Sequence, residues 1–208
     1  MSTPATPATL AALSAYSACD ISDALLALRL PHGGFIPDLS PISPPAIYTL
    51  SCAAVQHPRR NALDGSRAYG YDINPIRPPS HAAMLGGILA MRLKYRGVRA
   101  VIAHGRVRDV GEIRGVELPV WSLGTSTVGS GGGVKAHAVD VVVEVGGVSV
   151  KAGDVVVADP GNGVVVIPAE KVGEVLALLP GLAVADGRVK EAVGGGMGVG
   201  EAFKRFRK

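Results

Sequence analysis

The spacing of apolar residues changes several times along the chain, and each change marks an element. Residues 1–9 are rich in Ala, Thr and Pro with no apolar period, and read as a frayed tail. Asp20 and Asp23 stand where a helix keeps acidic capping residues, and Ile21, Leu25 and Leu26 supply an apolar face behind them. The spacing predicts a helix over about 21–28. From 30 to 79 the chain is dense in proline, with short apolar pieces such as 46–50, and yields no regular assignment. Regularity returns after Pro78-Pro79. Gly86-Gly87 opens a segment whose positions Ile88, Leu89, Met91 and Leu93 suit a helix over 88–95, closed by Gly97. The uninterrupted apolar run 98–103 has the length of a buried strand, and 118–123 reads as another. Two hairpins follow: 139–145 and 148–150 flank Gly146-Gly147, while 154–158 and 164–167 flank Pro160-Gly161-Asn162-Gly163. A helix over 169–179, with Val172, Val175, Leu176 and Leu179 inward, should stop at Pro180, and 183–193 and 199–206 complete a helical tail. Strands, hairpins and helices interleave, so the class is mixed α/β. The hairpins argue against a purely parallel, doubly wound sheet.

Composition narrows the function classes. With 208 residues, 48% of them hydrophobic and 18% charged, the chain can bury the core of one domain and is not a disordered chain. Its 28 glycines and 15 prolines lack the three-residue period of collagen. Aromatics at 4% argue against a stacking platform for single-stranded nucleic acid, and no apolar run of about 18 residues suggests a membrane-spanning helix. The formal charge of +4 owes much to Lys204, Arg205, Arg207 and Lys208, which read as a solvated helix end rather than a nucleic-acid footprint. Cys19 and Cys52 lie in no CxxC pair and are expected to be free thiols in a reducing compartment. The N-terminus shows neither the basic start of a secretory signal nor the arginines of a transit peptide, so a cytoplasmic location is expected.

Several familiar motifs are absent from the sequence. The glycine clusters 129–133 and 194–200 do not satisfy GxGxxG and read as turns; there is no phosphate-binding GxxxxGK[ST] and no GxSxG elbow. His32, His57, His81, His104 and His137 show no metal-ligand spacing. One cluster stands apart. His104-Gly105-Arg106-Val107-Arg108-Asp109-Val110-Gly111-Glu112 follows the apolar run 98–103, at the kind of strand end where α/β proteins collect ligands. Arg108 offers a planar fork for a carboxylate or enolate oxygen, and Asp109 a hard oxygen ligand for a divalent cation. Taken locally, the same residues read more readily as a solvated loop with an internal ion pair.

Distance along the chain adds specificity. Gly87, twenty residues, Arg108-Asp109, two residues and Glu112 give G-x20-R-D-x2-E. Cys19-Asp20-Ile21-Ser22-Asp23-Ala24-Leu25, Gly86-Gly87-Ile88-Leu89, Pro119-Val120-Trp121-Ser122-Leu123-Gly124-Thr125-Ser126, the stretch from Gly147 to Asp159 with Gly163 to Pro168, and the tail Gly198 to Phe206 accompany it. Together these closely resemble the RraA-like family, in its group of 4-hydroxy-4-methyl-2-oxoglutarate aldolases and oxaloacetate decarboxylases. The resemblance covers residues 10–30 and 81–208. It implies one RraA-like domain over 10–208, of swivelling β/β/α type with a mixed sheet and C-terminal helices. Residues 45–80 depart from the family pattern, with Gln56-His57-Pro58-Arg59-Arg60, Pro75, Pro78 and Pro79 where regular strands are usual. The segment 129–135 is also richer in glycine than the family's.

The resemblance implies a divalent-metal-dependent pyruvate aldolase. Asp109 would bind Mg²⁺ or Mn²⁺ largely through waters, Arg108 would contact the pyruvyl end, and Gly86, Gly87, Ile88 and Leu89 would hold the substrate carboxylate through backbone N–H groups. Glu112 would act from behind, orienting the metal waters or Arg108. A glycine pair at a helix start has its own reason to bind anions, because the first N–H groups have no intrahelical acceptor. Retro-aldol cleavage of a 4-hydroxy-2-oxo acid and decarboxylation of oxaloacetate would share a pyruvate enolate. The resemblance further implies a homotrimer or hexamer, with a small 2-oxo acid as substrate and neither nucleic acid nor membrane as partner. Three rivals remain. A Schiff-base aldolase would need a lysine of lowered pKa, for which Lys94, Lys135 and Lys151 are candidates. The others are a non-catalytic regulator of the ribonuclease E inhibitor type, which would have no need of R-D-x2-E, and an inactive relative.

Overall fold

The structure is a computed structural model and describes residues 5–43, 48–51, 81–130 and 141–207. Cys52, His57, Lys135, His137 and most of the divergent 45–80 stretch lie outside the described residues.

The chain begins with helix α1 (Pro7–Leu13), capped by the Thr6 hydroxyl. The expected tail is therefore shorter: Thr6 accepts from the Thr9 N–H, Pro7 fits the first turn, and Leu13 is anchored in the core. Helix α2 (Ala18–Ala27) starts three residues before the predicted helix. Its cap is Ser17, whose hydroxyl takes the Asp20 N–H while the Asp20 carboxylate takes the Ser17 N–H, and Asp23 has no part in it. After a tight turn at Pro31–Gly34 come the two-residue strands β1 (Phe35–Ile36) and β2 (Ser40–Pro41), then β3 (Tyr48–Ser51), which overlaps the apolar piece 46–50.

Three parallel strands follow, two of them linked to the next by a helix. They are β4 (Ala83–Leu85), α3 (Gly87–Tyr95), β5 (Val101–Val107), α4 (Val110–Gly115) and β6 (Val120–Thr125). Strands β4, β5 and β6 pair in parallel and β2 closes the edge antiparallel, giving the order β2-β6-β5-β4. The face of α3 differs from the expected one. Gly87, Ala90 and Leu93 point inward, while Ile88 and Met91 are exposed, because small residues let the helix lie close to the sheet.

Both hairpins form as the turn residues predict. Strands β7 (Val143–Val145) and β8 (Val148–Val150) pair around Gly146-Gly147, and β9 (Val155–Asp159) pairs with β10 (Gly163–Ile167). The second hairpin forms the centre of an antiparallel sheet of order β1-β10-β9-β3. Helix α5 (Val172–Gly194) then runs through Pro180 rather than stopping there, and α6 (Val199–Phe206) ends the fold. Val175 and Leu179 are fully buried before the proline and Val189 is buried beyond it, so packing holds the helix together across the missing N–H.

Alternate residues of β9 explain the stacking. Val155 and Val157 pack with Val165 and Ile167 under α1, α2 and α5, whereas Val156 and Ala158 face Trp121 with Val164 and Val166. On the far side of the second sheet, Val101, Ala103, Val107 and Val120 pack against Ala90, Leu93 and Ile113 of α3 and α4. The two sheets thus lie face to face with helices on both outer sides, and β9 and β10 read as valine runs because neither of their faces is wet. Among the described residues no single helix is long and apolar enough to cross a membrane.

Candidate active site

Parallel strands deliver their carboxyl ends to one edge, and here three neighbours do so together. Gly86 and Gly87 follow β4, Arg108 and Asp109 follow β5, and residues 126–130 follow β6. Backbone bonds hold the three turns in register: the Arg108 N–H donates to the Leu85 carbonyl at 2.9 Å, and the Ser126 N–H to the Val107 carbonyl at 2.8 Å. Ligands of open α/β sheets collect in this position.

Asp109 is the centre of the arrangement. It is the N-cap of α4 and adopts φ 56°, ψ 44°, the left-handed region that asparagine and aspartate tolerate best among side-chain-bearing residues. From there its Oδ2 accepts the Gly87 N–H at 3.3 Å and lies 3.2 Å from Arg108 Nε. Both side chains stay accessible, at 43% exposure for Arg108 and 35% for Asp109, so a small ligand can reach them.

The glycine pair is required by space. A methyl on Gly86 would stand 2.8 Å from Asp109 Oδ2, and one on Gly87 would overlap the Glu112 carboxylate. Glu112, on α4, thus lies against the start of α3. The N–H groups of Gly87, Ile88 and Leu89 form the first turn of a nine-residue helix and have no intrahelical acceptor. Gly86, Gly87, Arg108, Asp109 and Glu112 therefore meet at one place; Ile88 is 82% exposed beside it, and Leu89 packs against the α3–α4 core.

The donor set discriminates among metals. Among the described residues no three His, Cys, Asp or Glu side chains come together, so the three-ligand arrangement of a catalytic zinc is not formed there. An accessible Asp109 carboxylate with Glu112 nearby suits Mg²⁺ or Mn²⁺, which keep several waters and take one or two carboxylates. Two of the three lysine rivals, Lys94 and Lys151, are placed elsewhere, and Lys135 lies outside the described residues. Lys94 Nζ donates to the Glu117 carbonyl at 2.8 Å. Lys151 pairs with Glu170 at 3.1 Å, and that hydrogen bond holds its ammonium above the ordinary lysine pKa, opposite to what a Schiff-base nucleophile requires.

The sequence alone did not indicate two contributors. The left-handed backbone at Asp109 leaves no mark in composition. Gly129, read as part of a flexible cluster, lies against the Arg108 guanidinium.

The fold and site define an α/β protein in which a helix start faces an arginine and a carboxylate at the ends of parallel strands. The chain belongs to the RraA-like family, whose model, described as Aldolase/RraA, matches residues 18–166. The family includes both aldolases and RraA regulators. A Methanocaldococcus jannaschii protein, "Uncharacterized protein MJ0644", is 32% identical over 111 residues, covering 53% of this chain and 52% of that one. A Thermus thermophilus protein named "Putative 4-hydroxy-4-methyl-2-oxoglutarate aldolase" is 38% identical over 86 residues, 41% of this chain and 51% of its own. The matched stretch thus spans about half the length of these two relatives. Among solved structures, a Pseudomonas syringae pv. tomato protein superposes with a TM-score of 0.78 at 20% identity, covering 99% of this chain and 97% of that one. Streptomyces coelicolor RraAS2, described as an unusual member of the RNase ES inhibitor RraA family, gives 0.71 at 20% identity, over 92% and 98%. At such identities the likeness is one of fold.

Proposed function

We propose that the chain is a divalent-metal-dependent pyruvate aldolase acting on 4-hydroxy-4-methyl-2-oxoglutarate-type 2-oxo acids, with oxaloacetate decarboxylase activity at the same site. The observation that carries this reading is the meeting of Arg108, Asp109 and the α3 N-terminus at the ends of β4 and β5. Asp109, with waters and Glu112 behind it, would hold Mg²⁺ or Mn²⁺, and the metal would supply Lewis-acid polarisation of the 2-oxo group. The segment Gly86, Gly87, Ile88 and Leu89 would receive the substrate carboxylate at the positive end of the helix, chiefly through the Ile88 and Leu89 N–H groups because the Gly87 N–H is engaged by Asp109. Arg108 aims its fork at the 2-oxo oxygen and stabilises the negative charge that develops there as the C3–C4 bond breaks. Decarboxylation of oxaloacetate places charge on the same oxygen, so one set of donors serves both reactions. Glu112, lying against the start of α3, would orient the metal waters or Arg108 from behind. RraA-like proteins form oligomers, and a homotrimer or hexamer is proposed here.

The test follows pyruvate released from oxaloacetate and from 4-hydroxy-4-methyl-2-oxoglutarate, above the background of metal alone. Release with Mg²⁺ or Mn²⁺ that EDTA abolishes is expected. Release that survives EDTA and is trapped by borohydride would replace this chemistry with a lysine mechanism. No release from either substrate would point instead to a binding role of the regulator kind.

A further inference from the structure

Gly129 sits in the segment that leaves β6, and its backbone does not need glycine: its φ lies outside the left-handed region. What it needs is space. A methyl there would stand 2.7 Å from Arg108 Nη1 and 3.5 Å from Arg108 Cζ. A methyl on Gly86 would stand 3.4 Å from both Cγ and Nε of the same arginine, an ordinary contact distance, so the tight approach is the one at Gly129. The Arg108 side chain thus lies against two glycines, with Gly129 close to the guanidinium itself.

The segment carrying Gly129 is held in place. Val128 pairs with Ala82, and its carbonyl accepts the Ala83 N–H at 2.8 Å. The Ser126 hydroxyl donates to the His81 carbonyl and accepts the Val128 N–H at 3.0 Å. Residues 126–128 are therefore tied to the start of β4, and Gly129 is presented to Arg108 from a braced segment.

From this we infer that Gly129 is a positioning residue for Arg108, and that its lack of a side chain sets where the guanidinium meets the 2-oxo acid. The inference rests on the function proposed above. An added methyl meets the far end of a flexible side chain, so the fold can absorb it while the guanidinium moves. A small misplacement of a group that orients substrate is enough to cost activity.

The experiment compares wild type, Gly129→Ala, Arg108→Lys and the double variant. The arginine Nε–H signals are followed in selectively labelled protein, with the Arg108 signal assigned by its loss in Arg108→Lys. Gly129→Ala should shift that signal, leave the melting temperature at or above that of wild type, and lower kcat for oxaloacetate about tenfold with a smaller change in KM. In the Arg108→Lys background the same substitution should add nothing, because the fork that meets the methyl is gone. An unmoved Arg108 signal, or an equal kcat penalty in both backgrounds, would overturn the inference. If wild type turns over neither substrate, the proposed function fails, while the Arg108 signal still decides the positioning.

Discussion

At the residue scale, buried carboxylates tie distant parts of the chain together. Asp159 is 4% exposed at the β9–β10 turn, where its oxygens accept from the Gly161 N–H, the Asn162 amide and, across the core, the Ala18 N–H of α2. Burial opposes its charge, but these donors outweigh burial and hold its carboxyl below the usual value. A lowered folded-state pKa stabilises the fold above the unfolded carboxylate value, near pH 4, and this contribution is lost as pH falls through that range. Asp154 works in the other direction. Burial pushes it up despite the Lys151 and Ala169 N–H donors, so its contribution is present at acid pH and fades as pH rises. Asp159→Asn should therefore cost about 1–3 kcal/mol near pH 7 and distinctly less near pH 3. Urea unfolding at both values checks it, and an equal cost at both would contradict the assignment. Arg207 offers a comparable tie at the other end of the chain, pairing with Asp23 of α2 and with Asp186 of α5 at 2.8 Å. These two acids keep its guanidinium charged, the Asp23 hydrogen bond most strongly.

At the element scale, Pro180 shows where packing overrides local preference. It lies on the solvent side of α5, one residue after the fully buried Leu179, and it removes the N–H that would reach the Leu176 carbonyl. Pro180→Ala should restore that bond and stabilise the protein by about 2 kcal/mol. For a chain of this size the melting temperature should rise by roughly 4–8 °C; a lower one would mean that the kink itself is needed for packing. Elements whose signals are local were legible in the sequence. The hairpins around Gly146-Gly147 and 160–163 carry their turn residues, and the valine runs mark strands buried on both faces. The predictions that failed are those that depend on partners distant in sequence. The length of α5 rests on Leu179 and Val189 reaching the core, and the inward face of α3 rests on Gly87 and Ala90 lying close to the sheet. The start of α2 was misread for a smaller reason, because Ser17 supplies a better cap than Asp20.

At the scale of the whole molecule, the site exists because β4, β5 and β6 run parallel and end together. The sequence displays its residues in order: a glycine pair, then Arg108-Asp109 and Glu112 one crossover later. It does not display Gly129, whose role appears only when the third strand end is set beside the first two. Nor does it display the left-handed turn that points Asp109 at the start of α3. The central claim is that the Asp109 carboxylate makes this junction a metal-dependent site for a 2-oxo acid, and the most direct measurement is a Mn²⁺ titration of wild type and Asp109→Asn. Bound Mn²⁺ and pyruvate released from oxaloacetate would be recorded together in each sample. Wild type should show saturable Mn²⁺ binding with release rising in parallel, and Asp109→Asn should lose both by about a hundredfold or more while melting cooperatively. Release by Asp109→Asn at the wild-type rate, or release independent of bound Mn²⁺, would contradict the claim.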